Sequence, residues 1–452
     1  MKKYIILSVL LVLMSCKEND DNLKNTGPSP LPAFPGAEGF GSDTKGGRNG
    51  RIIEVTNLYS SGPGSFREAC EAVGPRLVVF RTGGMINTTK LITIKNPYIT
   101  IAAQTAPGDG ICLGGGAGLS IATHDVIIRG LRVRVGDNPA GPMGDNRDAI
   151  GVSNDNNQPY NIIIDHCSAS WAIDENIQLW YACHDITIQW CITSEALDSS
   201  LHTKGPHSKG MIIGPDAVGV SIHHNLFAHN VERNPLVSVD TRSEVINNVI
   251  YNWKTRGLNL GNCYPEHGEQ SDVIGNYFKK GPDSRDLCFQ ISDCWKNSQV
   301  FVSGNIGPGR PANTGNEWGL VRNDVINRIK VYNRLIDPSM ITIQPVTEAY
   351  DLVLKNAGAN IPRYDDVDVR IINDVKNGTG HIIDSQDDVN GWPVLDKGVP
   401  PADSDHDGMP DEWEQANGLD PAKHSDAYGT NLSDEGYTNI EVYVNSFFEA
   451  IE

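Results

Sequence analysis

Eight short β-rich segments recur in one register through the middle of this 452-residue chain. They read ITIAAQ, IIRGL, IIDHC, ITIQWC, SIHHN, EVINN, DVIGN and FVSGN, and end at Gln104, Leu131, Cys167, Cys191, Asn225, Asn248, Asn276 and Asn305. Three positions before each end stands a β-branched residue: Ile101, Ile128, Ile164, Ile188, Ile222, Val245, Val273 and Val302. A second apolar residue often lies two further back, as at Ile162, Ile186 and Val220, which is the period-2 alternation of a half-buried strand. Successive ends are 27, 36, 24, 34, 23, 28 and 29 residues apart. A solenoid explains this unevenness, because each coil repeats its strand while the loops on one side vary in length. A β-sandwich would want shorter, more even spacings and hairpin turns.

Stacking coils about 4.8 Å apart would align Asn225, Asn248, Asn276 and Asn305 as an inward amide ladder. Cys167 and Cys191 fall in the same column and read as stacked small core residues. The fold class is therefore all-β, a parallel β-helix expected over 33–345. Ser65–Ala72 (SFREACEA) reads as a short helix capping the open end, where unpaired strand edges need cover. Beyond Asn305 the pattern fades, and apolar spacing puts helices near 347–357 and 365–375, within a packing segment 346–400.

The ends carry different signals. Lys2 and Lys3 precede an apolar run, Ile5 to Met14, that is too short to span a bilayer. With Leu13-Met14-Ser15-Cys16 it resembles a lipoprotein signal, so 1–15 is expected to be removed, Cys16 lipidated, and 16–32 left as a polar tether. The alternative is an ordinary signal peptide. Either way the chain is expected to be exported, as a surface lipoprotein or else secreted or periplasmic, with membrane contact only through the lipid. Export permits disulfides, and Cys288 and Cys294 are close enough to consider, although the count does not decide. Net charge is −19, of which 401–452 supply −12. No polybasic footprint for nucleic acid is present.

With the repeat in place, several motifs resemble the pectate lyases of polysaccharide lyase family 1, over about 33–310. They are FPGAEGFG at Phe34–Gly41, GPGSFREA at Gly62–Ala69, Asn146-Arg147-Asp148-Ala149-Ile150, Ile164-Asp165-His166, Lys209-Gly210-Met211-Ile212-Ile213-Gly214 and Arg233-Asn234-Pro235-Leu236. The resemblance implies a right-handed parallel β-helix, a monomer, that cleaves polygalacturonate by calcium-dependent β-elimination. It implies active-site calcium at Asp148 and Asp174, with Asn146 and Gln178 as amides where the family has acids. It implies Arg233 as the base and Lys209 as the group binding the substrate carboxylate. A further family Arg falls on Ser238, leaving Arg242 and Arg256 as candidates for the missing charge.

The chemistry fits those residue types. Removing the proton on carbon 5 of a galacturonate builds negative charge beside an existing carboxylate, which a cation and Lys209 would delocalise. Arginine is ordinarily always protonated, so a basic Arg233 needs neighbouring positive charge. His166, His223 and His224 read as structural, while His202 and His207 share the Lys209 loop.

Residues 403–414, DSDHDGMPDEWE, fit the 12-residue calcium loop: Asp403, Asp405 and Asp407, Gly408 at the turn, the Met409 carbonyl, Asp411, and a bidentate Glu414. A second, damaged copy starts at Asn431. This gives a small helical calcium-loop module over 401–452. The competing functions are a hydrolase, which needs paired carboxylates but lacks its signatures here, a non-catalytic glycan-binding solenoid, and a lyase on methylated pectin.

Overall fold

The computed structural model describes residues 31–153, 158–261, 267–285, 289–292, 297–322, 326–336 and 340–449. The signal segment, Cys16, the tether up to residue 30, Cys288 and Cys294 lie outside the described residues. Leu31–Glu452 cluster as one compact unit.

The chain winds into a parallel β-solenoid of about nine turns followed by a few helices. Eight coils each contribute one strand to a ten-stranded sheet and one to each of two eight-stranded sheets, and Arg51–Val55 and Gln299–Ser303 extend the ten-stranded sheet at its two ends. The recurrent segments form the ten-stranded sheet. Its register pairs Ile101, Ile128, Ile164, Ile188, Ile222, Val245, Val273 and Val302 in one line, the β-branched column read from sequence. These side chains point inward and are buried in the main core. At about 1.5–3 kcal/mol per fully buried aliphatic side chain, this column is a principal source of stability.

The corner after that sheet holds the asparagine ladder. Asn248 Oδ1 accepts from Asn225 N (2.9 Å) and Asn225 Nδ2 (3.0 Å), and Asn248 Nδ2 donates to Asn276 Oδ1 (2.9 Å). Asn276 donates to Asn305 Oδ1 in the same way. Cys167 and Cys191 continue the column as free, buried thiols, the Cys167 amide lying 3.4 Å from Cys191 Sγ.

Three additions cover the solenoid. Ser65 caps the helix Phe66–Glu71 by accepting from Glu68 N, and Phe66 plugs the N-terminal end. Helices Val346–Asn356 and Asp366–Asn377 lay Val353, Leu354, Ile371 and Val375 against Trp171, Leu226 and Val249. Arg134, fully buried, pins the second of these through Asp365 (2.7 Å) and Asp368 (2.9 Å). The chain's last segment returns to the ten-stranded sheet, where Met409, Ala427, Ile440 and Val444 pack on Leu77, Val79 and Ala102. Arg129 lies between the rings of Phe34 (3.6 Å) and Phe448 (3.9 Å), tying both ends of the described chain to one coil.

Candidate active site

The two eight-stranded sheets meet at a corner where the connections from Arg134 to Ile150 and from Ser194 to Lys209 are long and the one from Ser170 to Glu175 is short. One sheet has strands Arg132–Arg134, Ser168–Ser170, Ile192–Ser194 and Leu226–Ala228; the other has Ile150–Val152, Glu175–Leu179, Lys209–Ile213 and Leu236–Val237. The sequence candidates Asp148, Asp174, Lys209 and Arg233 all lie at the point where the chain enters the second of these sheets. Register stacks them: Ile150 pairs Ile177, which sets Asp148 beside Glu175, and Glu175 pairs Lys209, which in turn bridges to Glu232. Four coils therefore deliver one line of charged side chains.

Asp148, Asp174 and Glu175 bring carboxylate oxygens within 4.8 Å of one another. Burial, then the charges of Glu175 and Asp174, push the Asp148 carboxyl well above its ordinary range. Burial also lifts Asp174, and it lifts Glu175 to about 7 although the Arg233 guanidinium pulls the other way. Three crowded acids held above their usual range suit a divalent, oxygen-seeking cation. Asp148 Oδ1 also accepts from Glu175 N (3.0 Å), which holds one ligand by the backbone of the next.

The cations of the site are paired. Arg233 donates to Glu175, and Lys209 Nζ lies 2.6 Å from Glu232 Oε1. Glu232 also takes Arg256 (2.8 Å). Burial works against Glu232, but Lys209 and Arg256 hold its carboxyl down at about 2. Arg233 has a left-handed backbone (φ 63°) and its amide donates to Asn259 Oδ1 (3.1 Å). His207 Nε2 approaches Asp174 Oδ1 at 3.0 Å, and His202 stacks on His207 with centroids 3.7 Å apart. Burial, then Lys209, keeps His207 neutral by lowering it to about 3.

The other sequence candidates take no part in the ion pairs above. Asn146 is exposed at the end of the single turn Gly144–Asn146. Gln178 stands mid-strand, half-buried, paired with Gly151 and Ile212. Arg242 begins a strand of the ten-stranded sheet, across the solenoid, and donates to Leu335 O (3.2 Å). Ser238 is fully buried. Sequence reasoning missed Glu175 and Glu232. The signal was present, since Glu175 adjoins Asp174 and Glu232 adjoins Arg233, but sequence alone did not say that the chain bends to aim neighbours together.

At the C-terminal loop, Asp403, Asp405 and Asp407 converge, and Asp407 and Glu414 converge with Asp426. Asp403 Oδ1, Asp405 Oδ2, Asp407 Oδ2, both Glu414 oxygens and Asp426 Oδ1 are buried with no hydrogen-bond partner among the described residues. Burial and mutual repulsion raise Asp407 to about 7 and Glu414 to about 8. These residues fit a calcium ion. Asp411 instead accepts from Ser404 N and Oγ, both at 2.7 Å, and Asp426 occupies the remaining side of the cluster. The damaged copy is closed by an Asn439–Asn431 hydrogen bond (2.9 Å).

The solenoid gathers acids, Lys and Arg at one corner, and by sequence the chain belongs to the pectate lyases, a class of polysaccharide lyase. It is 36% identical over 423 residues to the probable pectate lyase C of Aspergillus flavus, covering 92% of this chain and 94% of the relative. The probable pectate lyase C of Emericella nidulans is also 36% identical, over 421 residues, with 92% and 93% covered. No family model matches. Among solved structures, the fold is shared with the thermostable pectate lyase PL 47 (TM-score 0.51, 14% identity, covering 74% of this chain and 100% of that one). It is shared too with pectate lyase Bsp165PelA from Bacillus sp. N165 in complex with trigalacturonate (TM-score 0.50, 18% identity, 73% and 100%).

Proposed function

We propose that this chain is a calcium-dependent pectate lyase that cleaves polygalacturonate by β-elimination at the Asp148–Glu175–Arg233 corner. The observation that carries the reading is the register line Asp148, Glu175, Lys209 and Glu232 with Asp174 and Arg233 beside it. Asp148, Asp174 and Glu175 would hold the ion. When bound, calcium supplies positive charge to the uronate carboxylate beside which charge develops.

The chain's own residues do the rest. Lys209 lies one coil along and offers its ammonium to the same carboxylate, exchanging Glu232 for substrate. Arg233 removes the carbon-5 proton, and the electron pair left behind forms the C4–C5 double bond as the bond to the 4-linked oxygen breaks and that oxygen leaves. Glu175 is the control element: serving as a metal ligand, it would leave Arg233 without its counter-ion and free to turn toward the substrate. His207 and His202 brace Asp174. Arg256 shares Glu232 and is placed to approach a neighbouring sugar.

The second ion, held by Asp403, Asp405, Asp407, Glu414 and Asp426, is structural and fastens the 401–452 module to the ten-stranded sheet. The catalytic solenoid spans 33–345 and the packing segment 346–400. Pectate lyases are generally secreted. We assign export to 1–15, anchoring to a lipid on Cys16, and action as a monomer.

Mass spectrometry of the products tests the reaction. Elimination gives fragments whose masses sum to that of the substrate chain, whereas hydrolysis adds one water per cut. Water gain would refute the lyase assignment.

A further inference from the structure

Three coils toward the N-terminal end from Glu175, the same corner opens into a cavity of about 610 Å³ lined in part by Arg67, Asn87, Lys90, Asn138 and Trp392. Register fixes its place. Ile92, Leu119, Ile150 and Ile177 pair in succession, and Lys90, Asp148 and Glu175 each stand two residues ahead of their strand's member of that line. Lys90 therefore lies on the row of site residues, three steps of about 4.8 Å, or ~14 Å, from Glu175.

The walls are fixed by contacts of their own. The Arg67 guanidinium is fully engaged as a wall, donating to the carbonyls of Ser60 (2.9 Å), Leu91 (2.8 Å) and Lys90 (2.7 Å), to Thr88 Oγ1 (3.3 Å) and to Glu71 Oε1 (3.3 Å). Trp392 arrives from the C-terminal segment and donates through Nε1 to Arg134 O (2.9 Å). Its indole lies against Gly114 and Gly136, where a Cβ would come within 2.9 and 2.2 Å of ring atoms, so only glycine leaves it a seat. Asn138 Nδ2 donates to Gly115 O (3.0 Å), and Arg147, the neighbour of Asp148, donates to Asn138 O (2.9 Å). The cavity wall and the loop that carries Asp148 are thus one construction. Lys90 is exposed, and its ammonium makes no hydrogen bond or ion pair with the described residues.

We propose that this cavity is a distal subsite for one uronate residue of the polysaccharide. Lys90 receives the carboxylate, and the half-buried Trp392 offers an aromatic wall to the apolar side of the sugar ring. The inference rests on the pectate lyase reading and adds a length requirement to it. A subsite ~14 Å from the reacting sugar along the coil axis is reached only by a chain several rings long, so long chains gain binding that short ones lack.

The test compares kcat/KM for a long oligogalacturonate with that for trigalacturonate, in the full-length protein and in Lys90→Ala and Lys90→Glu. Both substitutions fall on an exposed side chain with no contact to lose. Lys90→Ala is expected to lower the long-to-short ratio about two- to five-fold, the worth of one partly exposed ion pair, and Lys90→Glu to lower it further. An unchanged ratio, or equal loss on both substrates, overturns the subsite. If the unsubstituted protein makes no unsaturated product from either substrate, the lyase reading itself fails, a different result.

Discussion

Replacing Asn248 by Ala removes the middle rung of the asparagine ladder. In the folded protein the Asn248 carbonyl oxygen accepts from both the backbone and the side-chain nitrogen of Asn225, while its own nitrogen donates to Ile222 O (2.9 Å) and Asn276 Oδ1. All of these groups are buried, since Asn225, Asn248 and Asn276 are each fully inaccessible. The two donors of Asn225 lose their acceptor at about 1–3 kcal/mol apiece, whereas Asn276 Oδ1 keeps the bond from the Asn248 backbone (2.9 Å). The expected cost is thus roughly 2–6 kcal/mol. Urea denaturation followed by circular dichroism measures it, with the exposed Asn146→Ala as a control expected within about 0.5 kcal/mol of the parent. The ladder lies at a different corner from the catalytic residues, so folded Asn248→Ala should retain its activity. A loss of stability below 1 kcal/mol would refute the account of the ladder as obligatory pairing of buried amides.

Other expectations follow from the same structure. Arg233→Ala should cut kcat by about 10²–10⁴-fold, the usual worth of a general base, with the circular dichroism spectrum unchanged; near-normal turnover would remove Arg233 from the mechanism. Calcium at 100 times its dissociation constant should stabilise the protein by about 2.7 kcal/mol per site. The part due to the C-terminal site should vanish in Glu414→Gln and Asp426→Asn but persist in Asp411→Asn, as read by melting with and without calcium. Glu269 gives a pH test away from any acidic cluster, because burial lifts its carboxyl from 4.5 to about 7. The folded state then holds the proton more tightly than the unfolded chain, so this contribution is present below pH ~4.5 and is lost as pH rises through ~7. Glu269→Gln should flatten that fall and raise stability at pH 8 by up to ~3 kcal/mol, and a variant no more stable there than the parent would contradict it.

Much of the fold was legible because a solenoid writes its geometry as a repeat. One β-branched residue per coil, three before each anchor, marked the register that pairs Ile101 through Val302. The asparagines were legible because a polar residue in an apolar column must pair with its own copies. The site was partly legible: Asp148, Asp174, Lys209 and Arg233 do meet at one corner. What sequence did not show were the contacts made between coils by side chains at variable loop positions. Glu175 and Glu232, which take Arg233 and Lys209, sit next to residues already singled out, yet their roles depend on how the strand entry bends. Asp426 joins the C-terminal cluster from outside the 12-residue template, through the turn His424–Tyr428 that packs Ala427 on the solenoid. That contact is tertiary and leaves no local spacing to read.

The central claim, that acids on this corner hold a cation beside Arg233 and Lys209 for elimination, meets its most direct test in one spectrophotometric assay. Polygalacturonate and the protein are mixed with calcium, and the near-ultraviolet absorbance of the conjugated unsaturated product is followed before and after a chelator is added. The account predicts a steady rise that stops on chelation and resumes with excess calcium. Reducing ends that accumulate without any such absorbance, or a rise indifferent to the chelator, would contradict it.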